Sequence, residues 1–264
     1  MHKSIKKISK ISITTILVLI IIPVSTYFLL QSARVQTFLV KIVTNEISKN
    51  LDANFKIESV NYSFFNKVVL KNVYIEDQSK DTILFSEKLT VSINGINRKS
   101  KTITIHNVDL FHTKFYLFTD TATSINIKFI TDQFISKDTT HKEKPKWKVD
   151  INNIEMNESV FRYRSNQNYQ KKFGVEYNNM ICAIKNLEVK DLRVENGDVT
   201  FQIKSLAFTD RSGFTVSDVK AFMSISDKHL KFKDITIRTA NSFLVSDSIS
   251  FSHNDFNDYQ DFNN

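Results

Sequence analysis

A chain of 264 residues has room for one large β domain or two small ones, and its single cysteine excludes an intramolecular disulfide framework. The net charge of +8 does not point to nucleic acid. Lys3, Lys6, Lys7 and Lys10 supply +4 of it, leaving +4 over residues 31–264, where basic and acidic side chains are interspersed as on a solvated face.

The first element is Ile11 to Leu30, twenty residues without a charge. As a helix rising about 1.5 Å per residue it spans about 30 Å, the thickness of a bilayer's hydrocarbon core. With Lys3, Lys6, Lys7 and Lys10 ahead of it, the positive-inside rule predicts a transmembrane helix over 11–30. Residues 1–10 are then a cytoplasmic basic stub and the rest of the chain lies across the membrane. The rival, a cleaved secretory signal, needs an apolar run of about 7–15 residues and a small-x-small site. Here the run is longer, and the best site, Gln31-Ser32-Ala33, opens on a bulky polar residue. A buried core helix is seldom apolar all round. Pro23 means a kink at most.

Residues 31–51 read as an amphipathic helix. Val35, Phe38, Leu39, Ile42, Val43, Ile47 and Leu51 follow helical spacing, and Arg34, Lys41, Glu46 and Lys49 fall mainly off that stripe. Such a helix either caps the end of a sheet or lies on the outer leaflet; the lack of Trp and the few Lys or Arg favour the cap.

From Phe55 onward the period changes to two. Val199 to Lys204 (VTFQIK) alternates apolar and polar, and Val219 to Ile225 (VKAFMSI) does so apart from Phe222. That is a sheet with one apolar and one polar face. Charged residues 137–148 (KDTTHKEKPKWK) read as an exposed loop between a first β block, 55–136, and a second, 149–254. Only 4 Gly and 2 Pro limit the tight turns, signalled at Asn94-Gly95, Asn196-Gly197-Asp198 and Ser212-Gly213. The 22 Phe fill a core or line an apolar groove.

A weak repeat of the form apolar-x-[Asn/Asp]-apolar-x-apolar runs through both blocks. Its copies are Leu70 to Ile75 (LKNVYI), Ile105 to Leu110 (IHNVDL), Ile151 to Met156 (INNIEM), Ile184 to Val189 (IKNLEV) and Phe232 to Ile237 (FKDITI). Their Asn or Asp positions are 35, 46, 33 and 48 residues apart. Two successive polar residues interrupt a period of two and would send the following apolar residues to the other face. The strand keeps one apolar face only by absorbing an extra residue as a bulge or by turning a corner. Asn and Asp tolerate the backbone angles this needs. Recurrent bulges curl a sheet around its apolar face; ordinary strand-turn-strand junctions are the competing reading.

Candidate chemistry is sparse. His2, His106, His112, His141, His229 and His253 form no HxH, HExxH or Cys/His cluster, and no GxGxxG, P-loop, GxSxG or SxxK motif occurs. His106 and His112 read as surface residues. Glu76 to Asp81 lacks EF-hand spacing and reads as a turn. Cys182 lies in an apolar stretch without a neighbouring His and reads as a buried thiol. Phe161 to Arg164 (FRYR) reads as a strand rather than a base-stacking surface. No catalytic residue, cofactor site or metal site is expected.

The order of several short segments resembles the N-terminal region of the TamB family, the inner-membrane subunits of the translocation and assembly module, within the AsmA-like superfamily. The segments are Gln36 to Val40 (QTFLV), Phe64 to Lys67 (FFNK), Val69 to Asp77 (VLKNVYIED), Asp81 to Phe85 (DTILF) and Leu89 to Ile93 (LTVSI). They continue with Asn126 to Ile130 (NIKFI), Trp147 to Val149 (WKV), Ser212 to Phe214 (SGF) and Asp255 to Asp258 (DFND). The resemblance implies a long curled, taco-like β-sheet with an apolar groove, rooted in the inner membrane with its bulk in the periplasm. It also implies an Omp85-type outer-membrane barrel as partner. Family members are much longer, and the C-terminal domain that engages the barrel is missing from this chain, so 255–264 reads as a truncated end.

The expected function is phospholipid transport to, and biogenesis of, the outer membrane, with acyl chains on the apolar face. The inward set near the repeats is expected to line the groove: Val73, Ile75, Ile105, Val108, Leu110, Phe115, Leu117, Leu187, Val189, Phe201, Ile203, Ile235 and Ile237. Ordinary core is the competing role for each. Two other functions compete: assembly or secretion of outer-membrane proteins by β-strand pairing, and an anchored β-solenoid adhesin or binding module with a closed, dry core.

Overall fold

The computed structural model describes residues 53–63, 66–119, 125–127, 129, 148–165, 175–195, 197–226 and 229–252, with scattered positions between 21 and 48. The expected membrane span at 11–30 and the end at 255–264 fall outside these residues, apart from Ile21 and Ser25. Among the described residues no helix is long and apolar enough to cross a membrane. Of the expected helix at 31–51, positions 35–38 are helical, and Gln36 Nε2 donates to Asn61 Oδ1 at 3.1 Å.

Eleven strands form one open, curled sheet. They are β1 (Asn54–Lys56), β2 (Ser59–Ser63), β3 (Lys67–Glu76), β4 (Thr82–Asn97), β5 (Thr102–Thr119), β6 (Lys148–Ser165), β7 (Asn179–Glu195), β8 (Asp198–Asp210), β9 (Thr215–Ile225), β10 (His229–Thr239) and β11 (Phe243–Ser252). Strands β3 to β11 pair in sequence order, while β1 and β2 share the outer edge of β3. The two expected blocks are therefore one sheet, and Lys148, read as loop, opens β6. Every pair is antiparallel except β5 with β6. A parallel pair needs a crossover, here residues 120–147. Where the described part of that connection begins, Asn126 fixes it to β5: its amide accepts from Phe118 N–H at 3.1 Å and donates to the Tyr116 carbonyl at 3.1 Å.

Strand length sets the problem the fold has to solve. β5 and β6 have 18 residues each, about 60 Å at 3.3 Å per residue, against a usual strand of about 5–6 residues. Side chains opposite one another across the strands form straight rows. Leu70, Leu89, Leu110, Met156, Leu187 and Leu206 make one row, and Val68, Val91, Val108, Ile154, Val189, Ile203 and Ala221 make the next on the same face. The row between them, on the opposite face, is Val69, Thr90, Asp109, Glu155, Glu188 and Ser205.

Two lines of irregularity cross these rows, and both fall on two-residue steps between apolar positions. The first passes Asn72 (φ 48°), Glu87, His112 (φ 47°), Glu158 (φ 48°) and Lys185. Beyond it the apolar face resumes with Val73, Ile184 and Val216, then with Ile75, Leu84, Phe115, Phe161 and Cys182. The second passes His106, Asn152, Asp191 (φ 52°) and Asp234 (φ 52°). Beyond it come Ile93, Ile105, Ile151 and Leu192, and then Phe201, Met223, Phe232 and Ile249. Each crossing inserts one extra residue and returns the strand to the same apolar face. Three copies of the repeat lie on the second line and two on the first.

The first line is closed by hydroxyls. Ser86, Thr113 and Ser159 have relative exposures of 0%, 0% and 2%. Ser86 Oγ lies 2.7 Å from Thr113 Oγ1 and donates to the Lys88 carbonyl at 3.1 Å; Ser159 Oγ accepts from Thr113 N–H at 3.0 Å and donates to the Asn157 carbonyl at 2.8 Å. These bonds satisfy backbone groups that the left-handed residues take out of the ladder. These three residues lie on the apolar face, in one row with the buried Val73 and Ile184.

Ser159→Ala removes the acceptor for the buried Thr113 N–H and the donor to the Asn157 carbonyl. It is expected to cost about 1–3 kcal/mol in denaturant unfolding, whereas Ser248→Ala, exposed on β11, should cost under about 0.5 kcal/mol.

Candidate functional site

The thirteen residues expected to line a groove share the apolar face. Val73, Ile75, Phe115 and Leu117 lie beyond the first line, and Leu110, Leu187, Val108, Val189 and Ile203 between the two lines, in the paired rows given above. Ile105 and Phe201 lie beyond the second line. Ile235 and Ile237 follow Asp234 on β10, with Ile237 opposite Val219. Of the thirteen, Val73, Val189 and Ile235 are buried and the other ten are half-exposed. Among the described residues ten apolar side chains are fully buried, and most others on this face are half-buried.

The rows run across the strands, along the direction in which strands add. At about 4.8 Å per strand, the ten-strand path extends about 45 Å. Along a row, each strand step meets another Leu, Val or Ile. Aromatic rings occupy the face beyond the lines, with Phe115 and Phe161 at 6.2 Å between centroids.

The polar face carries three carboxylates directly opposite one another, Asp109, Glu155 and Glu188. Such a row repels itself unless compensated. Compensation comes from its neighbours. Asn107 Nδ2 donates to Asp109 at 2.5 Å, Asn153 Nδ2 lies 2.7 Å from Glu155 and 2.6 Å from Asn107 Oδ1, and Lys190 pairs with Glu188 at 2.9 Å. The repeat's Asn residues therefore have a second task beside the bend.

On the outside of the first line, His112 sits between two carboxylates. Its Nδ1 is 2.7 Å from Glu87 and its Nε2 2.9 Å from Glu158. The hydrogen bond to Glu87, then that to Glu158, raises its pKa above the ordinary histidine value. The two carboxylates engage opposite ring nitrogens, so the three side chains cannot chelate one ion. Among the described residues no group of His, Cys, Asp and Glu is placed to hold a metal. His112 is exposed, as expected, but its carboxylate partners lie 25 and 46 residues away and were not legible locally.

The other candidates take simple roles. Glu76 to Asp81 forms a turn in which Asp77 Oδ1 accepts from the N–H groups of Ser79 and Asp81, both at 2.8 Å. Cys182 is buried, and burial followed by the Asp210 charge pushes its thiol pKa up, away from nucleophilic chemistry. Sequence reasoning missed the free edge. Among the described residues β11 pairs only with β10, and Phe243 (58%), Val245 (62%) and Phe251 (41%) stand exposed on it.

No protein-family model and no characterised protein sequence matches the chain. The functional argument rests on this geometry.

Because the folded pKa of His112 is raised, its clamp contributes stability that is full below the ordinary histidine pKa and is lost as pH rises through the folded value. NMR titration is expected to place His112 above about 6.5. The double substitution Glu87→Gln, Glu158→Gln should return it to the ordinary value and remove the associated pH dependence of unfolding.

Proposed function

We propose that this chain is a TamB-like, inner-membrane-anchored periplasmic protein whose curled sheet forms an apolar groove for phospholipid acyl chains, serving transport to and biogenesis of the outer membrane. The observation that carries the reading is an apolar face that resumes on the same side of the sheet beyond each of two fold lines, with most of its side chains half-buried. A face that exists only to build a core is covered; one kept continuous and open serves a ligand. Acyl chains would lie along the rows while headgroups stay wet. Each buried CH₂ contributes about 0.8 kcal/mol, enough to hold a lipid. A shift by one strand exchanges one Leu, Val or Ile contact for an equivalent one, which keeps the barrier to sliding low. Anchoring by 11–30 and delivery to an Omp85-type barrel belong to the same proposal.

Native mass spectrometry of the full chain, purified gently from membranes, is expected to show co-purifying phospholipid. Val108→Asp and Phe201→Asp, each placing a charge on the apolar rows, should reduce it by about tenfold or more in protein that keeps its β-sheet circular dichroism. Folded wild-type protein without lipid would refute the groove.

The exposed apolar edge of β11 favours a second reading, assistance to outer-membrane protein assembly by strand pairing. Its ten residues contain no Lys or Pro, the usual guards of an edge. In that case Val245→Lys and Phe251→Lys should abolish capture of an unfolded outer-membrane β-strand peptide by the wild-type chain and leave lipid content unchanged. Under the lipid reading the two substitutions change neither.

A further inference from the structure

The turns at the two ends of β4 differ in charge. At the β3–β4 end the turn carries Glu76, Asp77 and Asp81 against Lys80 alone. At the β4–β5 end the turn carries Arg98, Lys99 and Lys101, and Lys148 opens the adjacent strand. This basic turn is rigidly built. Asn97 pairs with Thr102, and Asn97 Oδ1 accepts from the N–H groups of Lys99 at 3.0 Å and Ser100 at 3.1 Å. Lys101 adopts φ 50°, and its carbonyl accepts from Lys148 N–H at 2.8 Å, tying the turn to β6.

The acidic groups at this end are accounted for elsewhere. Glu195 pairs with Lys148, Asp150 lies opposite Arg193, and Asp198 is three strands away on β8. Among the described residues no carboxylate pairs with Arg98, Lys99 or Lys101. Arg98 and Lys99 are exposed and Lys101 half-buried. Immediately inside the turn lies an apolar row, Ile96 opposite Ile103 and Ile103 opposite Val149, with Ile96 at 57% exposure. Cations held one or two residues beyond an exposed apolar row complement an amphiphile with a negative head.

We propose that Arg98, Lys99 and Lys101 form a lip that takes the phosphate of an anionic phospholipid whose acyl chains lie on the adjoining apolar rows. The inference rests on the lipid reading above and adds headgroup selectivity and a polarity to the groove. A guanidinium offers paired N–H donors to phosphate oxygens, and the two ammonium groups add charge without fixed geometry. The acidic turn at the other end of β4 offers an anionic head no such contact.

The test is native mass spectrometry of the full chain with equimolar phosphatidylglycerol and phosphatidylethanolamine. Wild type is expected to prefer phosphatidylglycerol by about five- to tenfold, the scale of a few exposed ion pairs, and added salt should weaken the preference. R98Q/K99Q/K101Q should bring the ratio to about one with total bound lipid unchanged, while Val108→Asp should lose both lipids. Equal capture of the two lipids by wild type, or a triple variant that keeps the wild-type ratio, would overturn the lip and leave the groove standing. Capture of neither lipid by folded wild type would overturn the groove and the lip with it.

Discussion

Everything in this molecule follows from a conflict between the period of a β-strand and the length of its strands. Side chains alternate strictly, so a two-residue polar step must either exchange the faces or be absorbed. Here it is absorbed at nine described crossings, which fall into two lines across the sheet: Asn72, Glu87, His112, Glu158 and Lys185 on one, His106, Asn152, Asp191 and Asp234 on the other. Alignment is what matters. A single bulge bends one strand, whereas bulges in register on neighbouring strands fold the whole sheet. The hydroxyls of Ser86, Thr113 and Ser159 lie in one row with the buried Val73 and Ile184 and bond backbone groups along the line.

The single parallel pair extends the same logic. β5 and β6 align at a constant offset of 46 residues, so repeat copies stand side by side: Asn107 beside Asn153, Val108 beside Ile154, Phe115 beside Phe161. Equivalent residues stacked in register keep the fold lines, the apolar rows and the amide contacts continuous across the one place where the meander is broken. Continuity matters to the proposed function because a row with a missing step would trap an acyl chain rather than pass it along.

Much of this was legible in the residues. Alternation marked the strand period and two of the strands, at 199–204 and 219–225, and the two-residue polar step identified five of the nine crossings together with their consequence. The spacing of 46 between Asn107 and Asn153 was the parallel register itself, but a spacing alone does not distinguish a register from a repeat length. Four crossings were hidden for physical reasons. At Glu87, His112 and Glu158 the position beyond the step is Ser86, Thr113 or Ser159, hydroxyl residues that bond the backbone there and break the apolar pattern. The step at Lys190-Asp191 shares Val189 with the copy before it and is masked by overlap. The clamp on His112 and the compensation of Glu155 by Asn153 depend on partners brought together by pairing. The expected anchor at 11–30 lies outside the described residues.

Charge is distributed with the same economy. Directly opposed carboxylates at Asp109, Glu155 and Glu188 would normally argue against the register that places them together. They are tolerated because amides on the adjacent row hydrogen-bond Asp109 and Glu155 and Lys190 pairs with Glu188. The basic turn at Arg98 to Lys101 has no such partner among the described residues. That turn and the acidic turn at Asp77 and Asp81 set the electrostatic difference between the two ends of β4. Screening confines each rim's field to within about 8 Å at physiological salt, roughly two strand spacings. The difference therefore acts on a headgroup lying at the rim and leaves hydrocarbon on the apolar rows unaffected. A sheet built this way can separate the holding of acyl chains, done by uniform rows, from the choice of headgroup, done at one edge.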